Sequence, residues 1–130
     1  MGLFDRFSNG MKLMKIGRAF TSALGLLDNY QQTSDIDFLH LAAWIFREGI
    51  FTPIEELGCA PTTPIYFMAS GQRVNMTIDK ATSLTYQRLM SYAENLSEDD
   101  QAVLEDILEG GEIFDEINAK MTDDVRNRLF

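Results

Sequence analysis

Apolar residues recur every three or four positions along most of the chain, which is the spacing of one face of an α-helix. The longest such pattern runs from Met11 to Tyr30. Ahead of it, the polar sequence Ser8-Asn9-Gly10 is typical of a break in a helix. We therefore predict a short N-terminal helical turn, a break over residues 8–10, and then a long amphipathic helix.

A second apolar block, Phe38–Phe46, covers nearly every direction around a helix axis, which is typical of a helix buried on most sides. Ser34 is a candidate N-cap for this helix and Gly49 a candidate C-cap. We predict a central helix between these two residues. Because most of its faces are then buried, we expect Leu41→Ala and Ile45→Ala each to lower the free energy of unfolding by about 2–5 kcal/mol.

The clearest strand signal follows in the middle of the chain. Ile65–Ala69 is a compact apolar run, Val74–Ile78 alternates apolar and polar residues, and Ser70–Gln72 forms a turn between them. Further helices are predicted after residues that favour helix starts, namely Thr52-Pro53, Asp79, Ser97 and Thr122. The sequence thus predicts a mainly α fold, a single compact multi-helix domain over residues 1–130, with a small two-stranded β-hairpin at about residues 65–78.

The composition narrows the chemistry. Among its 130 residues the chain has one cysteine, Cys59, and one histidine, His40. One thiol cannot form an intramolecular disulfide, and one Cys with one His cannot complete a structural zinc site. We expect no metal site and no cofactor. A small hydrolase would depend on His40, which Asp37 precedes by one helical turn, but the sequence has no strand-to-helix elbow that would present a nucleophile to the pair. We therefore expect a protein that is not an enzyme.

The charge is distributed unevenly. The net charge of −9 repels phosphate backbones and argues against nucleic-acid binding. Residues 1–18 contain four basic residues and one acidic residue, a local charge of +3. Residues 94–130 contain twelve acidic and three basic residues, a local charge of −9. This basic head and acidic tail are the most distinctive global feature of the sequence.

Four carboxylates of the tail recur at about one helical turn, Glu105, Glu109, Glu112 and Glu116, and Asp115 completes the candidate binding set. A dense surface of one charge sign attracts partners of opposite charge and speeds their association. The sequence thus predicts a protein-interaction module of the inhibitor, immunity-protein or adaptor type, whose acidic surface binds a basic protein.

The N-terminal segment, residues 1–18, supports an alternative. Its apolar and basic residues form a basic amphipathic pattern: Leu3, Phe4, Phe7, Met11, Lys12 and Lys15. This segment is a candidate for separate behaviour as a peripheral membrane or assembly element, although a membrane surface is not our favoured partner. Its apolar side could equally close the core of the domain, with the basic side against the acidic tail. Without an apolar run of membrane-spanning length or a secretion signal, we expect a cytoplasmic protein and leave homo-oligomerisation open.

Overall fold

The first helix, α1, spans Leu3–Thr33 without interruption. The computed structural model describes the backbone of residues 3–130 and the side chains of residues 9–130. The break predicted at residues 8–10 is therefore wrong. A glycine such as Gly10 costs a helix about 1 kcal/mol relative to alanine. Packing of α1 on the rest of the domain offsets this cost, since Ile16 and Phe20 are fully buried.

The central helix, α2, spans Ile36–Ile45 and begins one residue later than predicted. Its N-cap is Asp35, whose carboxylate accepts a hydrogen bond of 3.0 Å from the backbone N–H of Asp37. The predicted cap, Ser34, instead has a positive φ of 59°. Ser34 thus supplies the reversal between α1 and α2, and the next residue supplies the cap.

Gly49 does not end the central helix, contrary to the prediction. After α2 the chain continues as a π-helical segment, Phe46–Phe51, and then as α3, Thr52–Leu57. A Cβ atom on Gly49 would lie 2.9 Å from the Cβ atom of Ala19 and would collide with the ring of Phe130. A side chain is excluded at position 49 because Ala19 and Phe130 occupy the space beside it. The residue pattern within this helix does not show such a distant contact.

The predicted hairpin is confirmed. β1, Pro64–Ala69, pairs antiparallel with β2, Gln72–Thr77. The turn residues Ser70 and Gly71 both have positive φ, as the common two-residue hairpin turn requires. Ile78, assigned to the strand by the sequence, is the first residue of α4, Ile78–Ala93, and the N-cap position is Thr77 rather than Asp79.

Of the remaining predicted helix starts, Ser97 and Thr122 are confirmed, whereas Thr52-Pro53 is wrong, because Thr52 already has helical φ and ψ and α3 directly continues the π-helical segment. The hydroxyl of Ser97 accepts a hydrogen bond of 3.2 Å from the N–H of Asp100, and that of Thr122 accepts one of 3.3 Å from the N–H of Val125. These caps open the first and last of three helices: α5, Glu98–Glu109; α6, Glu112–Lys120; and α7, Asp123–Leu129. The protein is a mainly helical domain with a small hairpin, as predicted.

α1 and α2 form the centre of the core, and α1 also covers one edge of the hairpin. The backbone carbonyl of Tyr66 approaches α1 at Gly17 so closely that a Cβ atom there would clash with it. One turn later, the hydroxyl oxygen of Thr21 accepts a hydrogen bond of 3.0 Å from the N–H of Met68. The hairpin is therefore attached to α1 through its outer strand edge as well as its apolar face.

This contact predicts opposite effects for two glycines of the same helix. Gly17→Ala should lower the free energy of unfolding by about 1–3 kcal/mol, because the added methyl group forces α1 away from β1. Gly25→Ala should raise it by about 0.5–1 kcal/mol, because nothing lies within 4 Å and alanine favours the helix. Urea denaturation followed by circular dichroism measures both. Changes of the same sign and size would contradict the contact.

Candidate interaction surfaces

The acidic surface, defined as Glu105, Glu109, Glu112, Asp115 and Glu116, is exposed throughout. Its first two residues lie on α5 and the other three on α6. The glycine pair Gly110-Gly111 separates the two helices, as the sequence indicates. The five carboxylates therefore do not form one continuous helical stripe, but each of them reaches solvent.

None of these five carboxylates is neutralised by a nearby cation of residues 9–130. Within that range the ion pairs are Arg88 with Asp28, at 2.6 Å, and Arg126 with Glu48, at 3.1 Å. Both pairs use acids outside the acidic surface. Its negative charge is therefore available to a partner.

Helix stability explains only part of this surface. Glu112 and Asp115 lie in the first turn of α6, where the helix dipole favours carboxylates. Glu109 lies in the last turn of α5, where the dipole disfavours them, and Glu105 precedes it by four residues at a spacing where like charges repel. The two α5 carboxylates thus act slightly against their own helix.

Asp106, which the sequence groups with the tail acids, has a structural role that the sequence analysis missed. Its carboxylate accepts hydrogen bonds from the backbone N–H groups of Ile113, at 2.8 Å, and Phe114, at 3.3 Å. It therefore caps α6 from the preceding helix. Gly111 leaves room for it, since a Cβ atom there would clash with this carboxylate. The sequence does not reveal this cap, because Asp106 lies seven residues before Ile113, its first hydrogen-bond donor, and in a different helix.

The N-terminal segment is only partly exposed where it is described, since Ile16 is fully buried in the core. Met11 and Met14 have 57% and 62% of their surface accessible, and Lys12 and Lys15 are also exposed. Met11 and Met14, the apolar residues of this group, therefore do not close the core. The alternative's Leu3, Phe4 and Phe7 belong to α1, but their side chains lie outside the described residues.

The basic head also contacts the C-terminal end of the chain, though not through the acidic surface. Arg18 donates a hydrogen bond of 3.5 Å to the carbonyl oxygen of Phe130, and Ser22 donates one of 2.7 Å to that of Leu129. Lys12 and Lys15 line a hollow together with Glu48, Glu56 and Arg126. The π-helical segment and α3 therefore contribute the acids near the basic head.

A cluster around Trp44 holds the last helix in place, and the sequence analysis missed it. The indole is fully buried, stacks on the ring of Phe130 with centroids 5.4 Å apart, and donates a hydrogen bond of 3.4 Å to Asn118. The guanidinium of Arg126 lies 5.4 Å from the indole centre and contacts both Asn118 and Glu48. These residues join four elements, so no local pattern reveals them.

A cleft of about 490 Å³ lies between α3 and α4. Its walls are largely apolar, with Phe51, Ile54 and Tyr86 among them, and Glu55 and Asp79 lie at its rim. The hydroxyl of Thr77, and then the backbone N–H of Lys80, hold the pKa of the Asp79 carboxyl below its usual value. The carboxylate therefore stays charged at neutral pH. This cleft can accept an apolar group next to a cation.

The chain's one thiol and one imidazole are not brought together in this structure. Cys59 is half-buried and lines this cleft, whereas His40 does not. The Nε2 atom of His40 is buried and has no hydrogen-bond partner among residues 9–130. The pairing of thiol and imidazole that a nucleophilic mechanism requires is therefore not formed in this structure.

The described part of the chain contains no group of three or more His, Cys, Asp or Glu side chains arranged to hold a metal ion. Within the same residues, no helix has both the length and the apolar character needed to span a bilayer. Comparison of the chain with protein-family models, with curated proteins and with solved structures finds no match.

Proposed function

We propose that this protein is a protein-interaction module that binds a basic partner protein through the acidic surface of α5 and α6. One observation carries the proposal: all five carboxylates are exposed and none is paired with a described lysine or arginine. We infer that the chain acts on this partner as an inhibitor or as an adaptor, without catalysis of its own.

The energetics support a recognition role for α5 in particular. Glu105 and Glu109 repel each other mildly, and Glu109 lies at the unfavourable end of the helix dipole. Their negative charge is therefore not explained by the stability of α5. A dense field of one sign steers an oppositely charged protein to the surface and raises its association rate, and salt screens this effect.

The test compares charge reversals of equal size. Immobilised wild-type protein is incubated with native lysate at low and high salt, and the captured proteins are identified by mass spectrometry. Glu105→Lys/Glu109→Lys and Glu112→Lys/Asp115→Lys probe the two halves of the surface. Glu55→Lys/Glu56→Lys is the matched control, because these acids are exposed on α3 and the net charge changes equally.

We expect wild type and the α3 control to retain the same basic protein at low salt. Each acidic-surface variant should lose it by at least about tenfold, since buried or closely matched charge pairs contribute several kcal/mol to binding. High salt should release it from wild type. A partner retained equally by all three double variants would refute the acidic surface as the binding site.

The peripheral membrane or assembly alternative is favoured by a different observation. Met11 and Met14 are exposed next to Lys12 and Lys15, although large exposed apolar side chains favour association. This side of α1 therefore remains available for binding, and it is distinct from the acidic surface of α5 and α6.

A further inference from the structure

Two stretches of this acidic chain contain no acidic residue. The sequence has 20 Asp and Glu residues, but none lies in residues 6–27 or in residues 58–78. The basic residues of these stretches are Arg6, Lys12, Lys15, Arg18 and Arg73. The first stretch belongs to α1, and the second contains the hairpin. They are separated by thirty residues that include α2 and α3.

The fold brings these two stretches together. Gly17 of α1 lies against the carbonyl of Tyr66, and Thr21 accepts the hydrogen bond from Met68, so β1 runs along α1. Met14 precedes Gly17 by three residues and Thr21 by seven, which places all three on neighbouring positions of one helix face. The side of α1 that carries Met14 therefore borders the hairpin.

Both sides of this border expose apolar side chains. Ile65 and Phe67 of β1 point into the core, so Tyr66 and Met68 lie on the opposite, outer face of the hairpin. Tyr66 is 52% exposed and Met68 42% exposed, and Met14, on the side of α1 that borders the hairpin, is 62% exposed. Of the six large apolar side chains exposed among residues 9–130, four belong to α1 and β1: Met11, Met14, Tyr66 and Met68.

Cations flank these apolar side chains. Arg73 is opposite Met68 in the strand register, and its guanidinium lies 4.8 Å from the centre of the Tyr66 ring. On α1, Lys15 and Arg18 are exposed at one and four residues after Met14. We define the basic apolar surface as Met11, Met14, Lys15, Arg18, Tyr66, Met68 and Arg73.

We propose that the basic apolar surface binds anionic phospholipid membranes, with the methionines and Tyr66 in the headgroup region and the cations against lipid phosphates. Charge complementarity carries this proposal, because every charged member of the surface is basic, although Lys15 also lines the hollow that contains Glu48 and Glu56. Lys and Arg beside flexible apolar and interfacial aromatic side chains are the features of peripheral membrane binding. A membrane also accepts such side chains without a shaped pocket.

The rest of the molecule makes this binding orientation-dependent. A chain of net charge −9 is repelled as a whole by an anionic bilayer. Binding therefore requires that the basic apolar surface faces the lipid and that the acidic surface does not enter the contact. Because the attraction acts over about a Debye length, raising the salt concentration should weaken it.

The experiment is flotation of the full chain with vesicles of phosphatidylcholine alone or mixed with phosphatidylglycerol. Wild type should float with the mixed vesicles at low salt and remain unbound with phosphatidylcholine alone. Lys15→Glu/Arg73→Glu should weaken binding to the mixed vesicles by roughly 25-fold or more, since each cation near an anionic surface contributes about fivefold. Met14→Gln, which preserves charge, should cause a smaller, several-fold loss.

The matched control is Lys80→Glu/Lys120→Glu, which changes the net charge equally at exposed positions outside this surface and should bind better than Lys15→Glu/Arg73→Glu. Circular dichroism verifies that each variant is folded. The proposal is overturned if wild type does not float with the mixed vesicles, or if both double variants lose the same amount of affinity for them. The proposal is also overturned if wild type self-associates without binding vesicles and Lys15→Glu/Arg73→Glu abolishes that self-association. Such a result would assign the surface to a second copy of the chain. Failure here leaves the acidic-surface proposal standing, because that rests on other residues.

Discussion

Trp44→Ala should lower the free energy of unfolding by about 3–5 kcal/mol, the largest effect that we expect from a single substitution in this protein. The indole is fully buried, and its removal leaves a cavity in the core. The substitution also removes the stacking partner of Phe130 and the aromatic face below the Arg126 guanidinium. Both partners belong to the C-terminal end of the chain, so α7 should loosen first.

Urea denaturation followed by far-ultraviolet circular dichroism measures this loss, because Trp44 is the only tryptophan and its fluorescence disappears in the variant. Trp44→Phe is the control. It preserves an aromatic ring for Phe130 and Arg126 but removes the hydrogen bond to Asn118, so its cost should be clearly smaller. A loss below about 1 kcal/mol for Trp44→Ala would show that the indole is not part of a packed core.

Ile45→Ala should lower the free energy of unfolding by about 2–5 kcal/mol, whereas Leu41→Ala, one turn earlier, should cost only about 1 kcal/mol. The sequence predicts the larger cost for both residues. In the structure Ile45 is fully buried in the core, while Leu41 is only half-buried and lies outside the residues packed against it. The cost of removing a side chain follows the apolar surface that it buries, so we expect the two substitutions to differ in their cost.

Thermal and urea denaturation of the two variants side by side test this difference. The comparison is matched, because both residues belong to α2 and both changes remove part of an aliphatic side chain. Both variants replace their residue with alanine, which favours the helix. Equal losses would mean that the side of α2 with Leu41 is also buried, as the sequence indicates, and would contradict the half-buried position of Leu41.

The two proposed surfaces divide the molecule by charge. The acidic surface lies on α5 and α6, and the basic apolar surface lies on α1 and the hairpin. A protein bound at an anionic membrane through the second surface would keep the first available to a basic partner. The two experiments vary different residues and use different readouts, so each proposal can fail alone.

Elements governed by neighbouring residues could be predicted from the sequence. The caps at Ser97 and Thr122 act within three residues. The apolar run Ile65–Ala69, the alternation of Val74–Ile78 and the short turn between them determine the hairpin. The exposure of the acidic surface follows in the same way, because carboxylates at helical spacing away from the apolar positions face water. These features depend on distances of a few residues along the chain.

Features that depend on distant residues could not be predicted. Gly49 has the residue type of a helix end, yet the helix continues through it, because Ala19 and Phe130 occupy the space beside it. The sequence shows Asp106 only as one of the twelve acids of the tail, but it caps the next helix. The N-terminal break failed for a similar reason, since packing of α1 outweighs the small cost of one glycine.

The sequence by itself determined the mainly helical class, the hairpin and the segregation of charge between the two ends of the chain, because each follows from side-chain type and spacing. Tertiary structure alone decided that β1 lies along α1 at Gly17. It thereby joined two stretches without acids into one basic apolar surface. The physical reason is that packing selects which distant residues meet, and periodicity along a single element carries no information about its neighbour.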